Sequence, residues 1–128
     1  MRCVLDAAAF INEQQFQEWG DCYTTSDVLA ELKDFKSKEI AQAAMASHKL
    51  RVSSPSTASI NKVYEVEKEV GCNPKLSETD RGLIALAMDI DAKLVTDDYR
   101  MQNVAAHLDI EYEGVMRGTI KEKKKFRS

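Results

Sequence analysis

The chain has 128 residues, of which 44% are hydrophobic and 30% charged, and its formal net charge is −3. This length and composition fit one ordinary globular domain. The slight negative charge argues against a generic nucleic-acid coat protein, but it decides little because a metal site made of acids lowers the net charge by itself. No stretch approaches the roughly 18 consecutive apolar residues of a membrane helix, and three widely spaced cysteines form neither a disulfide framework nor a zinc knuckle. We therefore expect a soluble cytoplasmic protein that does not act at a membrane.

The first half of the chain alternates strand and helix signals. Cys3-Val4-Leu5 is a short apolar run that predicts a buried strand, and the apolar stripe over 7–18 predicts a helix directly after it. The next predicted elements are a strand over 22–25, a short helix capped by Ser26, a helix over 33–46, a strand over 50–52, and a helix that has Pro55 in its first turn and ends at Gly71.

The second half continues the alternation. Ser77 and Asp80 have the spacing of a capping box, and the nearly all-apolar helix that they open must be largely buried. A strand over 93–96, a helix over 99–108 and a strand over 110–112 follow. This order predicts an α/β fold with a parallel sheet covered on both faces. The domain is expected over 1–116, and the lysine-rich segment 117–128 is expected to be a basic tail because it has too few apolar residues to pack.

Four separated acidic residues point to one site at an edge of this sheet. Asp6 and Asp98 each follow a predicted strand, and sites in open parallel sheets form beyond the carboxyl ends of the strands. Asp80 and Glu31 can reach the same crevice from neighbouring helices. Carboxylates brought together repel one another unless a cation neutralises them, and their oxygens are ligands that Mg²⁺ and Mn²⁺ select. The pattern therefore predicts a divalent-metal site that hydrolyses phosphodiester bonds in RNA or DNA.

Each acid also has a simpler explanation when it is taken alone. Asp80 suits the positive end of a helix dipole, Glu31 suits an exposed helix position, and Asp6 suits a helix cap. Only their joint placement favours the metal site. Other aspartates lack that placement and are expected to be solvated surface residues: Asp21, Asp27, Asp34, Asp89 and Asp91.

Longer motifs carry a family resemblance. The stretches are VLDAAAFI at 4–11, LSETD at 76–80 running into LIALA at 83–87, and LVTDDY at 94–99, together with the acid at 31. In this order they resemble PIN-domain ribonucleases over nearly the whole chain. Segment 96–105, which contains Gln102-Asn103-Val104, is similar to the archaeal Nob-family endonucleases that mature the 3′ end of small-subunit ribosomal RNA. The resemblance implies a three-layer α/β/α fold, endoribonuclease activity and precursor ribosomal RNA as the substrate.

The resemblance also implies residue roles. Asp6, Glu31, Asp80 and Asp98 would be catalytic and would hold Mg²⁺ or Mn²⁺, with Asp97 or Thr96 assisting. Cleavage would leave 5′-phosphate and 3′-hydroxyl ends. A homodimer is expected because PIN relatives often pair. The side chains expected to contact RNA are Thr96, Tyr99, Arg100, Lys123, Lys124 and Lys125.

Two departures from the family pattern stand out. Ala8 occupies a position where many relatives carry a serine or threonine whose hydroxyl could orient the first acid, so we expect activity to be weakened without being abolished. Nob-family proteins generally continue into a zinc ribbon, which is not found up to Ser128. We expect either a truncated chain or a single-domain relative, with reduced specificity for one RNA site because phosphate contacts alone do not specify sequence.

Three alternatives remain open from the sequence. The first is a PIN toxin of a toxin–antitoxin pair, which Gln102-Asn103-Val104 disfavours. The second is a catalytically silent PIN module that binds RNA or a ribosome-assembly partner, which the full set of acids disfavours and Ala8 leaves open. The third is a phosphate-accepting receiver-like domain, which is weaker because no acidic pair follows the first strand.

Overall fold

A parallel sheet forms the centre of the molecule. The computed structural model describes residues 1–11, 16 and 18–115. Within them the sheet has five strands in the order β3-β2-β1-β4-β5, and every neighbouring pair is parallel. The strands are β1 (Arg2–Leu5), β2 (Asp21–Thr24), β3 (Leu50–Val52), β4 (Lys93–Val95) and β5 (Tyr112–Glu113). Because β1 lies at the centre with Val4 and Leu5 fully buried, side chains on both of its faces are covered.

Helices cover the two faces of the sheet, which confirms the predicted three-layer α/β/α fold. A 3₁₀ helix (Ala7–Ile11) follows β1, and the described α-helices are α1 (Ser26–Glu31), α2 (Phe35–Ala46), α3 (Thr57–Val70), α4 (Glu78–Asp89) and α5 (Tyr99–His107). As predicted, α4 is largely buried, with Gly82 to Ala87 all inside the core. This helix contacts β1 and β4 on one side and α3 and α5 on the other. Its first turn is thereby fixed relative to the carboxyl ends of the two central strands.

One buried ion pair joins α3 to α4. Glu67 is only 3% exposed and accepts hydrogen bonds from Arg81 Nε at 2.6 Å and from the backbone N–H of Leu76 at 2.9 Å. Burial alone would raise the pKa of the Glu67 carboxyl, but the bonds from Arg81 and Leu76 outweigh it and hold the pKa below its usual value. The pair therefore fixes both α4 and the loop that precedes it.

Several predicted boundaries were wrong for local reasons. The first helix is a 3₁₀ turn over Ala7–Ile11, and the remainder of the predicted 7–18 range lies mostly outside the described residues. Thr25, not Ser26, caps α1, because its hydroxyl accepts from the backbone N–H of Val28. The final strand is Tyr112–Glu113 rather than 110–112, because α5 ends at His107 and the chain turns before pairing with β4.

Aspartate and serine caps explain the other differences. Asp34 accepts from the backbone N–H of Ser37 and starts α2 at Phe35, so the predicted helix over 33–46 begins two residues later. Ser56 caps α3, which places Pro55 before the helix rather than in its first turn. Asp89 was expected to be solvated, yet it accepts from Ser56 N at 2.6 Å and from Ser56 Oγ at 2.9 Å and so ties α4 to the start of α3. Gly71, with φ +67°, ends α3 as predicted.

Within the described residues, no helix has the length and hydrophobicity needed to cross a membrane. The predicted basic tail over 117–128 lies outside the described residues, and the domain boundary before it stays a prediction.

Candidate acidic active site

Asp6 and Asp98 meet at the carboxyl edge of the sheet through the hydroxyl of Thr96. Asp6 directly follows β1, and its backbone N–H donates to Val95 O of β4 at 3.1 Å. Thr96 Oγ1 donates to Asp6 Oδ2 at 2.7 Å and accepts from Asp98 N at 3.1 Å. Since Thr96 is fully buried, this one hydroxyl fixes the Asp6 carboxylate relative to the backbone at Asp98. The predicted convergence of these two strand ends is therefore observed.

Asp80 reaches the same edge from the first turn of α4. Ser77 Oγ accepts from Asp80 N at 3.1 Å, and Asp80 Oδ2 accepts from Ser77 N at 3.3 Å, so the predicted capping box is present. The second connection is through Arg100, whose Nη2 lies 3.9 Å from Asp80 Oδ2 and 2.8 Å from Asp98 Oδ2. Asp80 and Asp98 thus share one guanidinium.

The electrostatics couple the three aspartates. Burial raises the pKa of the Asp6 carboxyl, and the negative charges of Asp80 and Asp98 raise it further, while the bonds from Thr96 and Ala7 N–H oppose the rise. The hydrogen bond from Arg100 lowers the pKa of Asp98 below its usual value. The ionised form of Asp6 is therefore destabilised by burial and by its acidic neighbours, whereas the ionised form of Asp98 is stabilised by the Arg100 guanidinium.

Two of the predicted metal-binding acids lie apart from this group. Glu31 is exposed at the end of α1, and across the described ranges no hydrogen bond or ion pair joins it to the three aspartates. Asp97 Oδ1 accepts from the backbone N–H of Val115 at 2.7 Å, so this carboxylate holds the segment after β5. In the described part of the chain, no three acidic, histidine or cysteine side chains lie close enough to hold a metal ion as they stand.

The residues predicted to contact RNA have different surroundings. Thr96 is fully buried and bonded internally, which is inconsistent with direct contact to a substrate. Arg100 is bound to Asp98, and Tyr99 is 82% exposed at the start of α5. The three predicted tail contacts, Lys123, Lys124 and Lys125, lie outside the described residues.

Arg100 and Gln102 have structural roles that the sequence reasoning missed. Besides its contacts to aspartates, Arg100 Nη1 donates to Pro74 O at 3.1 Å and Lys75 O at 3.3 Å. Gln102 Nε2 donates to Thr96 O at 2.7 Å and so supports the turn after β4. A sequence signal existed for Arg100, because an arginine two residues after a capping aspartate can fold back onto that carboxylate.

A cleft of about 540 Å³ lies near the carboxyl ends of β2 and β3, and Asp6, Asp80 and Asp98 are not among the residues that line it. The segments after β2 and β3 form one wall, and α3 and the start of α4 form the other. Hydroxyl, amide and aromatic groups line it, including those of Thr25, Ser53, Asn61 and Tyr64. Charged side chains of both signs also line it, including those of Asp27, Glu78 and Arg81.

The parallel sheet and the aspartates at its carboxyl edge define a class of α/β protein with an acidic site, and comparison with known families identifies that class. The family described as "PIN domain of ribonuclease" matches residues 3–90. The chain therefore belongs to the PIN-domain ribonuclease family.

Individual relatives confirm the resemblance to the Nob family. "Endoribonuclease Nob1" of Methanocaldococcus jannaschii is 44% identical over 113 residues, which are 88% of this chain and 55% of that protein. "Endoribonuclease Nob1" of Methanothermobacter thermautotrophicus is 34% identical over 95% of this chain and 73% of its own length. "Ribonuclease VapC3" of Aeropyrum pernix is 32% identical over 89% of this chain and 84% of its own length. The chain thus spans only a little over half of the first of these relatives.

Solved structures support the fold alone. FitAcB from Neisseria gonorrhoeae superposes with a TM-score of 0.59 at 15% identity, covering 88% of this chain and 97% of that one. VapBC2 from Rickettsia felis, bound to a DNA fragment from its promoter, gives a TM-score of 0.61 at 16% identity, covering 89% and 98%.

Proposed function

We propose that the protein is an endoribonuclease that uses a divalent cation, Mg²⁺ or Mn²⁺, held by Asp6, Asp80 and Asp98. The observation that carries this proposal is that the Asp6 carboxylate and the Asp98 backbone N–H both bind the hydroxyl of Thr96 at the carboxyl edge of the sheet. Asp80 lies on the other side of the same site, where it shares Arg100 with Asp98. Membership of the PIN-domain ribonuclease family supports the choice of RNA cleavage over other metal-dependent hydrolysis.

The chemistry of the donor set fits a hard divalent cation. Three carboxylates supply oxygen ligands, which Mg²⁺ and Mn²⁺ prefer. The raised pKa of Asp6, caused by burial and by the charges of Asp80 and Asp98, indicates a repulsion that a bound cation would relieve. When bound, such a cation would stabilise negative charge on a phosphodiester and lower the pKa of a water molecule.

The protein's own residues would orient this site. Thr96 fixes one oxygen of Asp6, and the capping box fixes Asp80 at the start of α4. Glu31 is proposed to complete the catalytic set from the exposed end of α1, as the family resemblance implies. Asp97 is the weaker candidate ligand because its Oδ1 already accepts from Val115 N–H.

The substrate is proposed to be precursor ribosomal RNA, cut at the 3′ end of the small-subunit sequence. The relatives named Endoribonuclease Nob1, at 34% and 44% identity, favour this substrate over other RNAs. The RNA strand is proposed to bind along the cleft between α3 and the segments after β2 and β3, and exposed Tyr99 is proposed as a further contact. The basic residues Lys123 to Lys125 would add phosphate contacts, which position RNA without reading its sequence.

Cleavage of a defined RNA tests the proposal. An oligonucleotide spanning the small-subunit 3′ end would be incubated with Mn²⁺, Mg²⁺ or EDTA and with wild type, Asp98→Asn or Asp91→Asn. Asp91 is a matched control because it is exposed and precedes β4, at the opposite end of that strand from Asp98. We expect metal-dependent cutting at one site by wild type and Asp91→Asn, and loss of cutting in Asp98→Asn.

Other outcomes would contradict the proposal in distinct ways. Cutting that survives EDTA or leaves a 2′,3′-cyclic phosphate would refute the metal-dependent mechanism. RNA that is bound but left intact by all three proteins would instead indicate a silent RNA-binding module.

A second candidate is a toxin-type ribonuclease that cuts transfer or ribosomal RNA. The similarity to Ribonuclease VapC3, at 32% identity over 84% of that protein, favours it. Cleavage of transfer RNA in preference to the ribosomal oligonucleotide, together with growth arrest on expression, would support this candidate. The proposed homodimer is tested separately by light scattering after size-exclusion chromatography, where a monomeric mass would refute it.

A further inference from the structure

Arg100, whose side chain is 33% exposed, binds the acidic group directly. Its Nε lies 3.2 Å from Asp98 Oδ1 and its Nη2 lies 2.8 Å from Asp98 Oδ2, so the guanidinium holds both oxygens of one carboxylate. The same Nη2 lies 3.9 Å from Asp80 Oδ2. Paired contacts of this kind are among the stronger hydrogen bonds in proteins.

The guanidinium also reaches the loop before α4. Arg100 Nη1 donates to the carbonyl oxygens of Pro74 and Lys75 at 3.1 and 3.3 Å. Through these contacts one side chain joins Asp98 at the start of α5 to the chain that leads into Asp80. Among the residues that the structure describes, Arg100 is the only lysine, arginine or histidine that forms an ion pair with Asp6, Asp80 or Asp98.

We propose that Arg100 is an internal counter-ion that competes with the divalent cation for Asp98 and Asp80. This inference rests on the metal site proposed above. Both Asp98 oxygens face Arg100, and no three acids are close enough to hold a metal as they stand. A cation that binds Asp98 would therefore compete with the guanidinium for those oxygens. Metal binding would then also free Pro74 and Lys75 from their contacts with Arg100.

The competition predicts an effect opposite to that of a simple structural clamp. If Arg100 only clamps α5 to the loop, its removal should loosen the site and weaken metal binding. If it competes, its removal should strengthen metal binding while it destabilises the metal-free protein, because Asp80 and Asp98 lose their cation. The sign of the change in metal affinity therefore separates the two roles.

Isothermal titration calorimetry of the full chain with Mn²⁺, in the absence of RNA, measures whether removing Arg100 raises or lowers the affinity for the metal. Arg100→Gln is expected to bind Mn²⁺ about tenfold more tightly than wild type, the lower end of what a hydrogen bond to a charged group contributes. Arg100→Lys should fall between them, because an ammonium keeps the charge but cannot hold both oxygens. Arg51→Gln makes the same charge change at an exposed position on β3 and should bind as wild type does.

Thermal unfolding gives a second readout. Without metal, Arg100→Gln should melt below wild type, and saturating Mn²⁺ should raise its Tm by more than it raises that of wild type. If Arg100→Gln binds Mn²⁺ no more tightly than wild type, the proposed competition is wrong. The metal site itself would still stand in that case, provided that wild type binds Mn²⁺ and Asp98→Asn does not. If neither wild type nor Arg100→Gln binds Mn²⁺, the proposed metal site fails and the competition fails with it.

Discussion

The buried carboxylate of Glu67 should make one of the largest single contributions to the stability of the packing between α3 and α4. Replacing it with glutamine keeps the shape of the side chain but removes the charge. A glutamine has one oxygen in place of two, whereas Glu67 accepts from Arg81 Nε, Arg81 Nη2 and Leu76 N at 2.6, 3.4 and 2.9 Å. The amide N–H₂ of the new glutamine must therefore face one of these donors, with which it cannot form a hydrogen bond. The substitution leaves either Arg81 or the backbone of Leu76 without its acceptor.

The expected cost is about 3 kcal/mol. Removing one partner of a buried ion pair costs about 3 to 5 kcal/mol, and the lower end applies here because the Arg81 side chain is 16% exposed and gains some solvent. For a domain of this size each kcal/mol lowers Tm by about 3 to 4 °C, so Glu67→Gln should melt about 10 °C below wild type.

The pH dependence provides a further check. The pKa of Glu67 is lowered from its usual 4.5, because the bonds from Arg81 and Leu76 outweigh the opposing effect of burial. A lowered pKa in the folded state means that the ionised carboxylate stabilises the fold fully above pH 4.5, and that this stabilisation is lost as pH falls through the folded pKa. The difference between wild type and Glu67→Gln should thus be constant from about pH 6 to 8 and shrink in more acidic solution.

Urea unfolding followed by circular dichroism measures both quantities. Glu69→Gln is the matched control, because Glu69 is exposed on the same helix and loses the same charge. A free energy of unfolding for Glu67→Gln within about 0.5 kcal/mol of the control would refute the reasoning. A difference that grows as the pH is lowered would contradict the direction of the pKa shift.

Three further substitutions have defined outcomes. Thr96→Val removes the hydroxyl shared by Asp6 and the backbone at Asp98, and should cost about 1 to 2 kcal/mol in urea unfolding; an unchanged midpoint would contradict it. In Gly114→Ala the new Cβ would lie 2.8 Å from Asp97 Oδ1, so calorimetry should show about 1 kcal/mol of destabilisation, and equal stability would mean that Asp97 moves freely. Asp89→Asn weakens the bonds to Ser56 and should lower Tm by roughly 3 °C, a loss that should vanish at pH values below the lowered pKa of Asp89.

Much of the fold could be predicted because the strands are short apolar runs and the helices have clear capping residues. Val4 and Leu5 are fully buried as a central parallel strand requires, and the Ser77–Asp80 capping box appears where the spacing predicted it. Strand ends in a parallel sheet lie at a common edge, so the approach of Asp6 to the Asp98 segment also followed from the order of elements. These features depend on local pattern and on topology, both of which can be read from one sequence.

The side-chain partners at the site could not be predicted in the same way. The sequence does not show whether Arg100 faces solvent or Asp98, because both arrangements suit a residue in the first turn of α5. Asp97 and Asp98 are neighbours of the same type, yet one holds Val115 and the other pairs with Arg100. Such choices depend on which groups the tertiary fold brings within hydrogen-bonding distance. The roles of Glu31 and of the basic tail remain predictions for the experiments above.

Because β4 lies beside β1, the acidic site is completed by residues that are synthesised after β1, β2, β3 and α4. Asp6 and Thr96 are 90 residues apart in sequence, and their side chains meet only once β4 has paired with β1. A nascent chain that ends before β4 contains Asp6 and Asp80 but neither Thr96 nor Asp98. Chains are made from the N-terminus onward, so such a chain lacks Asp98, one of the three carboxylates proposed to hold the metal. The proposed site therefore cannot assemble on a growing chain until β4 and the residues that follow it have been made.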